Sequence, residues 1–253
     1  MPVMDEFREE REALKHGTLK EKISYFLYYY KWHVVTVIAV IAIVVSFIYQ
    51  TVNQKDRALF VALLNVYELD PAQDYDQRFA EYAGIDTDTY EVFFDTSMHM
   101  DTSDLTAVDE NTMATTQKLM VYLAAREIDV LIASESTTNT YAYTDTFCDL
   151  STFLSQEQYA KYEPYFYYMD RALLEEGNDA ALDEEFVSVP DYPSPRNPES
   201  MKAPVPVGIY LDAADGLREN YIFTDESIIF SPVINGQNPE NASLYLDFIF
   251  ENK

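Results

Sequence analysis

Ala58–Val66, ALFVALLNV, is a run of eight apolar residues broken only by Asn65. It shows no alternation of polar and apolar positions, so as an extended segment it leaves neither face for water, and its length suits a strand rather than a helix. A strand covered on both faces needs helices packed on either side of its sheet, which is the layered α/β arrangement.

The chain downstream repeats that logic. Asp74–Ala83 has helical spacing in Phe79 and Tyr82, opens at an N-cap-type Asp74 and stops at Gly84. Tyr90–Phe94, YEVFF, reads as a second strand. Asn111–Glu127 is the clearest helix, with Met113, Met120, Leu123 and Ala124 along one face, and Asp129–Ala133, DVLIA, is a third strand. Strand, helix, strand, helix, strand predicts a mostly parallel sheet with right-handed crossovers. Farther on, Phe147–Leu150 reads as a short strand, Ser155 opens a helix through Tyr162, and Tyr165–Met169 is extended. Six of the eleven prolines fall between Pro190 and Pro206, an irregular stretch that wraps the surface or joins lobes. Val205–Leu211 and Ile228–Val233 return to strand character, Asn235-Gly236 turns the chain, and Asn238-Pro239-Glu240 starts a last helix.

Upstream lies Val34–Tyr49, VVTVIAVIAIVVSFIY, without a charge. At ~1.5 Å per residue it spans ~24 Å, and Trp32 and His33 bring it near the ~30 Å of bilayer hydrocarbon. Before it, Ile23, Phe26, Leu27 and Tyr30 form an apolar stripe, and Tyr28, Tyr29, Tyr30 and Trp32 are residues that favour the membrane interface. The expectation is a bilayer contact through residues 23–50. Lys15, Lys20, Lys22 and Lys31 before the span, against Lys55 and Arg57 after it, place the N-terminus inside. A signal peptide and a buried soluble helix are the rivals. The first lacks a small-residue cleavage site in SFIYQTVN, and the second lacks a polar face to match. The organisation expected is a charged cytoplasmic tail over 1–17, an entry and transmembrane helix over 18–50, a linker over 51–57, and an extracytoplasmic α/β domain over 58–253.

Charge divides at the same place. Residues 1–50 carry six Lys or Arg against six Asp or Glu, so the whole net charge of −27 lies beyond residue 50. Such a surface repels phosphate backbones, which excludes nucleic acid and leaves neutral or cationic small molecules as partners. Cys148 is the only cysteine, so no intrachain disulfide exists, and an extracytoplasmic domain without one fits a Gram-positive bacterium better than a eukaryotic secreted protein.

Two stretches resemble a known family. Asn111–Leu154 contains a helix ending KLMVYLAAREIDVLIAS, a polar turn and TYAYTDTFCDLSTFL. It resembles the first-lobe crossover of bacterial extracellular solute-binding proteins, the type 2 periplasmic-binding fold, through Asp129, Asp149 and Leu150. The ending SPVINGQNPENASLYLDFIF is similar to that family's closing strand, turn and helix, through Asn238, Pro239, Glu240, Ala242 and Phe248. The resemblance implies a compact, non-catalytic binding domain, with a second lobe reduced by the short length of the chain and a ligand-facing turn after the Asp129 strand.

Motifs for chemistry are sparse. Met98-His99-Met100-Asp101 offers soft ligands for Cu(I), but alternation would split the methionines from His99. Asp86 with Asp88, and Asp101 with Asp104, offer oxygens for Ca²⁺ without an EF-hand glycine, so solvated turns are expected. Cys148 would need His99 as a base and reads as a small buried residue. No cofactor, metal or catalytic residue is assigned, and Asn241-Ala-Ser243 has only the form of a glycosylation site. A ligand site in an open α/β sheet lies at the carboxyl ends of its strands. Here those ends supply Asn65, Tyr67, Asp95, Ser134, Glu135, Ser136, Thr137, Asn139 and Asp212. Tyrosines over Tyr159–Tyr168 line a cleft or fill a core. The expected function is a tethered solute-binding-like receptor for a small neutral or cationic ligand. The alternative is an accessory or assembly subunit of an envelope complex that uses the fold for protein contacts, and a metal-dependent hydrolase comes third.

Overall fold

The structure is a computed structural model that describes residues 18–52, 55–100, 110–182 and 192–251. The charged tail, Asp101, Asp104 and Pro190 lie outside them. By internal contacts the chain divides into two units, Met1–Gln54 and Lys55–Lys253.

In the first unit, helix α1 (Leu19–Val52) is continuous. Within it Lys31–Tyr49, of mean hydropathy 2.4, is long and apolar enough to cross a membrane, and no part of that span is buried in the protein. Its Thr36 hydroxyl donates to the Trp32 carbonyl at 2.8 Å, so that polar group is satisfied within the helix. Of the upstream stripe, Ile23 is exposed; the side chains of Phe26, Leu27, Tyr28, Tyr29 and Tyr30 lie outside those described.

The second unit contains, in order, β1 (Asp56–Leu64), β2 (Val66–Glu68), α2 (Tyr75–Ala83), β3 (Tyr90–Met98), α3 (Glu110–Ala124), β4 (Val130–Ser134), α4 (Glu135–Ala142), α5 (Leu150–Phe153), α6 (Gln156–Tyr162), β5 (Phe166–Asp170), α7 (Arg171–Leu182), β6 (Pro204–Tyr210), α8 (Asp215–Arg218), β7 (Tyr221–Phe223), β8 (Ile228–Pro232) and α9 (Pro239–Glu251). Six strands form one sheet in the order β3-β1-β4-β8-β6-β5, and β2 pairs with β7 in a separate ribbon. β1 runs parallel to β3 and β4, as the alternation predicts. The remaining pairings, β4 with β8, β8 with β6 and β6 with β5, are antiparallel. The sheet is therefore mixed, with only β8 and β5 running against the rest. Residues 55–253 fall in one compact unit, and the only further sheet among the described residues is the β2–β7 ribbon.

β1 is buried on both faces. Leu59, Val61 and Leu63 enter one core with α2 and α9, around Tyr75, Phe79 and Tyr245, while Phe60, Ala62 and Leu64 enter the other with Leu119 and Tyr167. Burying a side chain of this size stabilises by roughly 1.5–3 kcal/mol, so the double-faced strand is the centre of the domain's stability.

Several expectations need correction. α3 buries Thr115 and Leu119, whereas Met113, Met120 and Ala124 are exposed and Leu123 is half-buried. The buried face is the one whose Thr115 hydroxyl reaches the His99 carbonyl at 2.7 Å and whose Lys118 pairs with Asp95. Phe147–Leu150 is not a strand: Phe147 makes one bridge to Val233, and Asp149 instead caps α5 by accepting from the Ser151 amide at 2.8 Å. The expected linker is shorter than 51–57, because α1 runs to Val52 and β1 starts at Asp56. The proline-rich stretch ends inside β6, whose Pro204 and Pro206 pair with the edge strand β5 across a bulge.

Two residues of the expected resemblance, Asp129 and Asn238, meet at the amino end of β4. Asp129 accepts from the Phe60 amide at 2.9 Å, the Asn238 amide at 2.7 Å and the Asn238 side-chain amide at 3.1 Å. Asn238 also donates to the Arg57 carbonyl, and a Cβ on Gly236 would lie 3.1 Å from Asp129. Asn241 of the sequon is likewise structural, its side-chain amide donating to the Ala58 carbonyl at 2.8 Å.

Candidate functional site

The chain steps from β1 outward to β3 and then crosses to β4 on the other side, so its direction of winding switches between β1 and β4. The carboxyl ends of strands at such a switch are where open α/β sheets accept ligands. There β4 passes into α4 without a loop. Ser134 holds an extended backbone and its hydroxyl accepts from the Thr137 amide at 3.3 Å, an N-cap that turns strand into helix.

Thr137 and Thr138 face inward and are buried. Glu135, Ser136 and Asn139 face outward and, with Ser134, line one side of an open cleft of about 650 Å³. The other walls are the proline-bearing segment Tyr192–Pro195 and the β7–β8 connection Asp225–Ser227. The volume lies within the ~300–1,000 Å³ of small-molecule sites.

The charged lining residues are Glu135, Asp225 and Glu226; no lysine or arginine is among the described lining residues, although Arg218 donates to the Glu226 carbonyl behind the wall and Arg196 lies near enough to Glu135 to interact with its charge. Glu135 is fixed by the Tyr210 hydroxyl, which donates at 2.9 Å, and burial together with that carboxylate pushes the Tyr210 phenol well above its usual value. Asn139 accepts from the Tyr167 hydroxyl at 3.0 Å. The Arg196 guanidinium lies 3.4 Å from the centre of the Tyr210 ring and pairs with Asp212 at 2.5 Å. Tyr192 stacks on Tyr143 at 4.0 Å.

The residues expected at a site thus separate. Ser134, Glu135, Ser136 and Asn139 share the cleft; Thr137 serves the cap beneath it, and Asp212 joins through Arg196, Tyr210 and Glu135. Asn65, Tyr67 and Asp95 gather instead around the ends of β1 and β3. Asn65, in the left-handed region at φ 56°, accepts from the Met100 amide at 2.8 Å and, through its carbonyl, from the Thr224 amide at 3.2 Å. Tyr67 is exposed and stacks on His99, ring centres 5.1 Å apart. Asp95 is buried against Ser97 and Lys118. Burial alone would raise its carboxyl, but Lys118 and the Ser97 donors outweigh that and hold it below the usual carboxylate value.

Tyr192–Pro195, Asp225–Ser227, Arg196 and Tyr210 are the site residues that the strand-end argument misses. β8 is antiparallel to β4, so its amino end lies beside the carboxyl end of β4, and a search of carboxyl ends alone passes over Asp225–Ser227. The proline cluster marked the remaining wall only as irregular chain. Most of Tyr159–Tyr168 serves the core: Tyr162 is buried and its hydroxyl donates to Asp247 at 2.6 Å, and Tyr159 packs edge-on against Phe166.

Among the described residues no group of three or more His, Cys, Asp or Glu could hold a metal ion. Met98 and Met100 point into the core while His99 stacks outside it. Asp86 closes its own turn, accepting from the Asp88 amide at 3.1 Å and the Thr89 hydroxyl at 2.8 Å. Burial and the neighbouring Asp149 push the Cys148 thiol up to about 11, which keeps it protonated at neutral pH. Comparisons of the chain with protein-family models, curated proteins and solved structures find no match.

Proposed function

We propose that this chain is a membrane-anchored, extracytoplasmic solute-binding-like domain of a bacterial envelope, non-catalytic, taking a small neutral or cationic ligand in the cleft at the end of β4. The observation that carries the reading is the cleft itself: a small-molecule-sized space at the carboxyl end of β4, on its β8 side, with hydroxyl, amide and carboxylate groups on its walls and no basic side chain among the described lining residues. The anchor reading rests on the unburied apolar surface of Lys31–Tyr49 and on the lysines before it. The resemblance to solute-binding proteins adds the role of the turn after the Asp129 strand, which is here Ser134–Asn139.

The test is a thermal-shift screen of residues 55–253 against sugars, amino acids, short peptides, amines and divalent ions. A ligand at one hundred times its Kd raises stability by about 2.7 kcal/mol. The expected result is a shift with one class of neutral or cationic compound that Glu135→Gln abolishes; no shift across the panel counts against the receptor.

A second reading is an accessory subunit that uses the fold for protein contacts. It is favoured by the exposed Met113, Met120 and Val121 on α3. Loss of a co-purifying membrane protein on Met120→Ser with Val121→Ser, in a chain that binds no small molecule, would select it.

A further inference from the structure

The wall Tyr192–Asn197 runs beside edge strand β5, yet its prolines keep it from joining the sheet. Pro193 and Pro195 have no amide hydrogen to donate, and the backbone bond from this wall to β5 is the Tyr168 amide donating to the Pro195 carbonyl at 3.0 Å. Side chains do the rest of the holding. At one end the Tyr192 ring lies on Tyr143, at the carboxyl end of α4, with planes 22° apart. At the other, Arg196 is clamped between the Tyr210 ring and the Asp212 carboxylate, both Arg196 and Asp212 being open to water. Tyr210 in turn donates to Glu135 inside the cleft. Each end of the wall is thereby fastened to a residue that α4 positions or holds.

We propose that Tyr192–Asn197 is a latched strap over the cleft, and that Arg196, acting on Tyr210 and Asp212, is the latch that sets how far the cleft is open. This rests on the reading of the cleft as the binding site. The Arg196–Asp212 ion pair is solvated and therefore weak, and the Tyr210 ring that Arg196 leans on is buried while the guanidinium stays in water, so high salt loosens the strap by screening the ion pair. Arg196 is a positioning residue here: it shapes access without lining the cleft.

The experiment places a thiol in the cleft of the full chain in detergent, as Ser136→Cys, where the native Cys148 is half-buried and held protonated. Labelling is followed with a small methanethiosulfonate and with a bulky dye-linked maleimide, subtracting the rate of the chain without Ser136→Cys. Adding Arg196→Gln or Asp212→Asn is expected to speed the bulky reagent about tenfold while the small one changes little. Arg196→Lys, which keeps the charge and loses the flat stack, should fall between. Equal bulky-reagent rates with and without the latch would overturn the strap. Should Ser136→Cys fail to fold, hydrogen exchange at the Tyr168 amide replaces it, faster exchange in Arg196→Gln supporting the latch and unchanged exchange overturning it. A gated cleft that shifts with no compound sinks the receptor and leaves the strap; a compound shift with ungated labelling sinks the strap alone.

Discussion

The two ends of strand β4 carry opposite kinds of polar residue. At its amino end Asp129 is buried and accepts three hydrogen bonds, two of them from Asn238, which is 109 positions away in sequence. At its carboxyl end, only six residues on, Glu135 meets one internal donor and otherwise faces an open cleft with Ser136 and Asn139. Polar groups consumed inside the fold mark stability, and polar groups aimed at open space mark binding. Both residues are acids next to the same strand, and burial and hydrogen bonding alone separate their roles.

The largest effect should come from the buried end. Asp129→Ala leaves the Phe60 amide and both Asn238 donors without their acceptor, at about 1–3 kcal/mol for each buried group left unpaired. Allowing for relaxation, the total should be about 4 kcal/mol, lowering the Tm of residues 55–253 by roughly 8–16 °C. A loss under about 1 kcal/mol in urea unfolding would show that the clasp is replaceable and the contrast between the two ends unfounded.

Next in size is the orientation of α3. Leu119→Ala should cost about 3 kcal/mol, because Leu119 is fully buried, whereas Met120→Ala should stay within about 0.5 kcal/mol. Equal costs would restore the face expected from spacing. The expected stripe is Met113, Met120, Leu123 and Ala124, of which only Leu123 is half-buried, while Thr115 and Leu119 carry the buried face. What orients the helix is polar and non-local: the Thr115 bond to the His99 carbonyl and the Lys118 pair with Asp95.

The same distinction separates what was legible in the sequence from what was not. ALFVALLNV could be read because burial on both faces leaves a pattern in the residues themselves, and Gly84 could be read as a helix end because it adopts φ 68°. Strand direction leaves no such trace, so nothing in Ile228–Val233 announced an antiparallel β8, and with it went one wall of the cleft. β3 continues to Met98 through Asp95-Thr-Ser97, polar residues held by Lys118 and Glu68 from other elements, so its end was invisible locally. α7 is hard to read in the sequence because Gly177 and Asn178 interrupt its helical pattern. The cleft residues of α4 were legible only as the end of a strand, without the chain segments that face them.

A moderate loss is expected at Gly208 in β6. A Cβ there would lie 2.5 Å from the Ile229 γ2 methyl and 2.8 Å from the Ser231 hydroxyl, on side chains too short or too branched to swing aside. Gly208→Ala should therefore cost about 2 kcal/mol by overpacking. A neutral substitution would mean that the β6–β8 half of the sheet is looser than the parallel half.

Acid should probe the buried carboxylates in smaller steps. Burial would raise Asp170, but the amides of Lys202, Ala203 and Ala172 hold it below the usual value, as Lys118 and Ser97 do for Asp95. A carboxyl depressed in the folded state stabilises above its unfolded value of about 3.9 and loses that contribution as pH falls through its lower folded value. The Tm should hold above about pH 5 and fall toward pH 2, and Asp95→Asn or Asp170→Asn should flatten that limb. An unchanged slope in both variants would remove these residues from the stabilising set.

The smallest effect on stability should fall at Glu135, and its smallness is what gives it meaning. Glu135→Gln keeps an oxygen for the Tyr210 hydroxyl and leaves the Ser134 cap of α4 untouched. The Tm of the ligand-free domain should therefore stay within about 1–2 °C, a change of under 0.5 kcal/mol. A loss approaching that of Asp129→Ala would mean that Glu135 serves the fold as Asp129 does, and the cleft would lose its best-placed carboxylate as a recognition group. An unchanged Tm together with a vanished ligand shift is the pattern of a residue held ready for a molecule outside the chain.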